Sequence, residues 1–209
     1  MERAYQILKV NLKHNLIPHM LILILFFAVA PFFISTSNLN TIDSANVLEV
    51  YISLFGIVLL VPVFIPDLDL SIRHLLVSKK ESVLKVHLLR ALEQIVLLGL
   101  FVLAFMEIMK IGNCQFDFLK YFYGTMANCL FLGGLGVLAF SLYNSLPFAY
   151  MVPMFYYMVS MFNDKELLGN FYLFTMTHGS FYEKNYIFAA GAVMIAVGIL
   201  YRKFVANKI

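Results

Sequence analysis

Residues 16–35 read LIPHMLILILFFAVAPFFIS, 20 residues without a single Asp, Glu, Lys or Arg. An α-helix needs about 20 predominantly apolar residues to cross the hydrocarbon core of a bilayer, so this run predicts a transmembrane helix. A secretory leader cut after Ala28-Val29-Ala30 is the other reading. Pro31 and the apolar Phe32-Phe33-Ile34 that prolong the run argue against it. The first span is therefore expected to stay as an anchor.

Working outward, hydropathy gives five further runs, at 50–66, 91–109, 121–142, 148–162 and 186–201. Six spans would use most of the 209 residues and leave little for a soluble domain. Composition agrees: 62% of the chain is hydrophobic, 13% is charged, and mean hydropathy is +0.85. A soluble core of this size cannot hide that much apolar surface, whereas lipid accepts it. A soluble enzyme, a nucleic-acid-binding domain and a disordered scaffold are excluded, and an all-α membrane protein with one transmembrane domain over 1–209 is expected. The fifth run is short, and polar Asn163-Asp164-Lys165-Glu166 follows it before a second apolar patch at 167–176. That pattern predicts a broken fifth helix whose outer part, 163–185, folds back as a re-entrant hairpin, which is tolerated where protein covers it.

Lys and Arg are distributed unequally about these runs. Arg3, Lys9, Lys13, Arg73, Lys79, Lys80, Lys85, Arg90, Arg202, Lys203 and Lys208 fall on one side, and Lys110, Lys120, Lys165 and Lys184 on the other. The positive-inside rule then puts both termini in the cytoplasm, with a basic rim facing anionic headgroups. A multi-pass protein of the cell membrane, bacterial plasma membrane by expectation, is the result. The two cysteines, Cys114 and Cys129, make no disulfide framework.

Catalytic patterns are missing. No GxxxxGK[ST] loop, HExxH pair, cysteine–histidine cluster or GxSxG elbow occurs in the sequence, so no catalytic, cofactor or metal residue is assigned and the chain is not expected to be an enzyme. The informative stretch is 67–90, DLDLSIRHLLVSKKESVLKVHLLR. Asp67 and Asp69 suit the start of a short helix. Leu68, Ile72, Leu75 and Leu76 form an apolar stripe opposite Arg73 and Lys79-Lys80. Such a helix either lies in the headgroup layer or docks into a groove on a cytoplasmic partner.

This loop, with its two acidic residues, the short Ile-Arg-His-Leu-Leu helix, Ser-Lys-Lys and an amphipathic lead into the third span, resembles the first cytoplasmic loop of ABC-2 type transporter permeases. A second likeness is the end of the chain, where Phe171-Tyr172-Leu173-Phe174 and Thr175-Met176-Thr177 lead to a last span closed by Arg202 and Lys203. The resemblance implies that 67–83 is a coupling helix, with Asp67, Asp69, Ile72, Arg73, Leu75 and Leu76 contacting an ABC ATPase subunit that carries the ATP and Mg. It also implies a second permease subunit, identical or related, and an interfacial helix over 1–15. Residues 1–13 fit that helix, with Ala4, Ile7, Leu8 and Leu12 on one stripe. Simple anchoring by basic residues explains them equally.

Charges within spans are costly and point first to function. Glu93 and Glu107 each lie three residues from a basic residue, Arg90 and Lys110, and intrahelical pairs account for both. Glu93 with Gln94 could instead face a translocation path. In the fifth span Tyr150, Met154 and Tyr157 suit a cavity for varied apolar cargo, although such residues also serve packing. Pro153 should bend that helix. Gly133, Gly134, Gly136, Ala192 and Ala196 are small enough for close helix contact.

The expected function is the permease subunit of an ATP-driven ABC-2 type exporter moving a lipid, drug or amphipathic peptide, in contact with membrane lipid and with no nucleic acid. One alternative is a six-span, vitamin-type binding component of an energy-coupling importer, with an outward pocket near 171–181. A non-transporting membrane scaffold is the other.

Overall fold

A chain this apolar must satisfy its backbone N–H and C=O groups internally, and helices do so within one segment. The structure, a computed structural model, describes residues 2–68, 83–163 and 165–206. Among the described residues it is all helical, with no strand. Helix α1 (Glu2–Asn11) passes through a π turn (Leu12–Leu16) into α2 (Ile17–Phe33). After a loop come α3 (Thr41–Asn46), a π turn (Val47–Tyr51), a 3-10 turn (Ile52–Leu54), α4 (Phe55–Leu60) and a 3-10 stretch (Val61–Leu68), which together make one helical rod. Then follow α5 (Val83–Ile111), α6 (Phe118–Tyr143), α7 (Leu146–Phe162), the short α8 (Lys165–Leu168) with the 3-10 turns Gly169–Phe171 and Met176–His178, and α9 (Tyr182–Ala206).

Five helical segments are long and apolar enough to cross a membrane: Tyr5–Phe32, Thr41–Leu68, Val83–Ile111, Phe118–Tyr143 and Tyr182–Arg202. The chain is thus compatible with a multi-pass membrane protein. Helix α7 is shorter, at 17 residues, or about 26 Å at 1.5 Å per residue.

Two stretches differ from the hydropathy runs. Residues 2–15, within the stretch expected as an interfacial helix, run on into the first span, because the junction residues Asn11, Leu16 and Ile17 all keep right-handed helical angles. The second span begins at Thr41 rather than 50, so that polar Ser44 and Glu49 enter the bundle fully buried. An apolar run cannot announce helix ends that carry polar residues; here protein rather than lipid surrounds them.

Helix α6 is the axis of the bundle, and two glycine contacts set how closely its neighbours approach. A methyl group on Gly134 would stand 2.8 Å from the Gly191 carbonyl oxygen of α9. One on Gly56 of α4 would strike the Cys129 backbone of α6. Close backbone approach of this kind is how helices associate without a hydrophobic driving force. Ala192 and Ala196, expected at such contacts, lie instead on the exposed face of α9. The bundle-facing positions there are Gly191, Ile195 and Gly198, the first two each one residue before the expected alanine.

Helix α2 is held on by aromatic contacts. Phe27 stacks on Phe55 at 5.6 Å between centroids and meets Phe105 edge-on at 5.4 Å, and the Tyr51 hydroxyl donates to the Phe26 carbonyl at 2.6 Å. At the end of the bundle remote from residues 2 and 206, the Asn38 amide donates to Gly112 O at 2.7 Å and Gln115 to Leu39 O at 2.8 Å, joining two loops. Asp117 caps α6 there, accepting from the Lys120 amide at 3.4 Å.

Candidate functional site

Polar side chains in an apolar bundle must find partners, and here they gather in two buried clusters, one at each end. The cluster at the far end centres on Glu49, placed by the π turn Val47–Tyr51. Such a turn disturbs the regular backbone hydrogen bonding, and π bulges recur at functional sites. Side chains serve the nearby carbonyls: Ser53 Oγ donates to Glu49 O at 2.5 Å, the Tyr157 hydroxyl to Val50 O at 2.7 Å, and Cys129 Sγ to Ile52 O at 3.4 Å.

The Glu49 carboxylate is fully buried. Its Oε1 accepts from the Met176 amide at 2.9 Å and from Lys184 Nζ at 2.6 Å, and its Oε2 accepts from the Thr177 amide at 3.1 Å. Lys184, also fully buried, donates as well to Asn128 Oδ1 at 2.9 Å and to Leu173 O at 2.5 Å. All three ammonium donors are used. Asn128 Nδ2 completes the ring by donating to Leu173 O at 3.1 Å. The non-helical stretch 172–175 and the 3-10 turn that follows it are therefore pinned inside the bundle by one ion pair and its hydrogen bonds. Tyr172, Leu173, Phe174, Thr175 and Met176 are buried, so protein covers the irregular backbone, as a re-entrant segment requires.

The cluster at the end bearing residues 2 and 206 joins the second and third long segments. Asp67 Oδ2 lies 2.6 Å from His87 Nε2 and Asp67 Oδ1 accepts from Arg90 Nη1 at 2.9 Å. Phe64 packs edge-on to His87 at 5.0 Å and has the Arg202 guanidinium 5.8 Å away. Arg202 also donates to Asn144 Oδ1 at 2.7 Å. Among the described residues, His87 Nδ1 and Arg90 Nε in this cluster, and both polar atoms of the Gln94 amide one helical turn on from Arg90, are buried without a hydrogen-bond partner.

The sequence-expected residues fall as follows. Asp67, expected to start the loop helix, has its carboxylate engaged by His87 and Arg90. Asp69, Ile72, Arg73, Leu75 and Leu76 lie outside the described residues. Glu93 accepts from Asn11 of α1 at 2.8 Å, while Arg90 turns to Asp67 instead of the neighbouring glutamate. Lys110 sits 5.6 Å from the Phe118 ring centroid and Glu107 is exposed. Gln94 is fully buried, Tyr150 half-buried, Met154 exposed and Tyr157 buried on the Val50 carbonyl. Met151, Met158 and Met161 share the exposure of Met154, so the methionine-rich face of α7 points out of the chain rather than into an internal cavity. Cys114 and Cys129 are free thiols.

A cavity opens at the far end, with a volume of about 380 Å³, and none of Glu93, Gln94, Tyr150, Met154 and Tyr157 lines it. Its walls include Asp43, Asn46 and Thr177 together with Met161, Tyr172 and Phe174. Glu49, Asn128 and Lys184 were not singled out by sequence reading. The signal available was a Glu and a Lys each within a few residues of an apolar run, which local pattern assigns to loops. Among the described residues no group of three or more His, Cys, Asp or Glu could hold a metal ion. No protein-family model, no curated protein and no solved structure matches the chain.

Proposed function

We propose that the chain is the permease subunit of an ATP-driven exporter of the ABC-2 type, crossing the cell membrane six times with both termini in the cytoplasm. Helix α7 supplies the sixth crossing, since about 26 Å with modest local thinning meets the lower end of what a bilayer needs. ATP hydrolysis resides on a partner chain, and a second permease subunit completes the pathway. The substrate class is apolar or amphipathic, because few polar side chains face outward along the spans.

The observation that carries this reading is the Asp67–His87–Arg90 triad. It ties together the two ends of the 69–82 loop, which leaves the second segment at Leu68 and enters α5 at Val83. A force applied to the loop passes through a buried ion pair into two spans at once, which is what a coupling element must do. Spare donors on His87, Arg90 and Gln94 give that joint a second set of partners to move to.

The test is replacement of Ile72 and Leu75 by Asp in one chain. Charges on the docking stripe would be desolvated without a partner. The variant is expected to insert and fold as the parent does, yet to lose co-purification with its ATPase and transport-coupled turnover. Unchanged partner binding and turnover would remove the coupling role. The importer-component alternative draws on a separate observation, the cavity at the far end lined by Tyr172, Phe174 and Thr177; it requires tight ligand binding by the chain alone.

A further inference from the structure

We infer that the far-end cavity is a binding site for an amphipathic cation, an ammonium group carried on an apolar body, with Asp43 as its counter-ion. The site does not depend on which transport reading holds, because binding is a property of this chain without an ATPase.

The volume of about 380 Å³ is within the range of small-molecule sites. Among the described residues Asp43 is the only formally charged one on its walls. It makes no ion pair among the described residues, and Lys184, Lys120 and Lys110 have other partners: Glu49, Asp117 and the Phe118 ring. An anion would meet that carboxylate unscreened, and a cation would be drawn to it. Asp43 stays exposed on α3, so its charge is kept by water until a ligand arrives.

The rest of the wall suits the body of such a ligand. Tyr172 and Phe174 meet edge-on at 5.8 Å between centroids, presenting ring surface for apolar contact and for cation–π attraction. Met161, exposed at the end of α7, adds an adaptable thioether. Asn46 and Thr177 supply polar groups at the rim. The aromatic wall is also rigid. Thr177 is fixed through its amide to Glu49 Oε2 and through its hydroxyl to Phe174 O at 2.7 Å, and Phe174 packs on Tyr157 at 5.7 Å. The buried ion pair thus preorganises the site, and less ordering is lost on binding.

The same chemistry is offered by a free amphipathic cation and by the ammonium of a zwitterionic lipid headgroup. Equilibrium binding of radiolabelled benzyltrimethylammonium to the full chain in uncharged maltoside micelles tests the site. One saturable site is expected, weakened at least tenfold in Asp43→Asn and lost in Asp43→Lys. Both substitutions lie at an exposed position whose backbone bond to Asn40 is unaffected. The uncharged isostere with a tert-butyl group in place of the trimethylammonium should not displace the label. Displacement by soluble dihexanoylphosphatidylcholine would assign the occupant to a lipid headgroup, and its failure to displace would assign it to a free cation. No saturable binding, equal binding by both variants, or equal displacement by the isostere would overturn the proposal.

Discussion

The two polar clusters have similar components and differ in how far their charged groups are satisfied, although Thr175 Oγ1 and Ser44 Oγ at the far end are also buried without a partner among the described residues. At the far end, Glu49, Lys184 and Asn128 use every ammonium donor and both carboxylate oxygens, partly on the backbone of 173–177. At the other end, Asp67 shares its oxygens between His87 and Arg90, and four buried polar atoms on His87, Arg90 and Gln94 lack partners among the described residues. A saturated network in a low dielectric has one good arrangement and resists change. An unsaturated one sits above its minimum, and its spare donors and acceptors are available to a different geometry. The far-end ion pair is therefore expected to resist change more than the near-end one.

The largest expected effect comes from breaking the saturated cluster on one side. Lys184→Met would leave the Glu49 carboxylate buried with two amide donors and no countercharge. Removing one member of a buried pair costs about 3–5 kcal/mol, so the unfolding midpoint of the purified chain in micelles should fall steeply. Glu49→Leu combined with Lys184→Met should recover much of that loss, since an apolar pair of similar volume often replaces a buried ion pair without penalty. A wild-type melt for the single variant would mean that the 172–178 segment is held by packing alone.

A smaller loss is expected for Asp67→Asn. Hydrogen bonds to charged groups contribute about 1.5–3 kcal/mol each, but this cluster already tolerates unsatisfied donors, so the lower part of that range applies. The midpoint should drop less than for Lys184→Met, while ATPase-coupled turnover should drop more. Equal effects on both measurements would erase the distinction between the two ends.

How much of this was legible in the sequence follows from how far apart the partners lie. The runs at 91–109, 121–142 and 148–162 lie within α5, α6 and α7 because continuous apolarity is a local property. Tyr157 was legible as a ring whose hydroxyl needs a partner, although the Val50 carbonyl 107 positions away was not. Glu49 and Lys184 meet across 135 positions, and no window sees both. Lys184 was counted among loop charges, and Glu49 fell one residue before the expected second span. Arg90 illustrates the opposite error: Glu93 is at ideal helical spacing, but Asp67, 23 positions away, makes the buried bond. Tertiary partners outrank helical neighbours wherever burial is deeper. Composition gives residue type and not direction, so it could not tell that Met151, Met154 and Met158 face out of the chain while Met161 borders the far-end cavity.

Gln94→Met tests the incomplete cluster with a change of opposite sign. Gln94 is fully buried and neither end of its amide is bonded to protein. A thioether of similar volume removes that desolvation cost without opening a void, which should raise stability by about 1 kcal/mol. If the incompleteness serves motion, coupled turnover should fall as the midpoint rises. A loss of stability would show that Gln94 is satisfied in the membrane and that the near-end cluster is as complete as the far one.

The smallest effect is expected where the same pairing chemistry stands in water. Asp117 and Lys120 approach to 3.0 Å at the start of α6, and both side chains are largely exposed. Their contact with the solvent removes the desolvation that makes Lys184 and Asp67 sensitive, so an exposed pair of this kind contributes little. The hydrogen bond from Lys120 nevertheless holds the Asp117 carboxyl below its ordinary range. A depressed carboxylate contributes its stability above the unfolded-state pKa and loses it as pH falls through the folded-state value. Melts of the parent and Asp117→Asn should therefore coincide within replicate scatter under acid conditions, where Asp117 is protonated. They should separate only slightly at neutral pH, and the separation should shrink with added salt. A separation at neutral pH as large as that for Lys184→Met would mean that charge pairing, rather than burial and saturation, distinguishes the far-end cluster from the rest of the molecule.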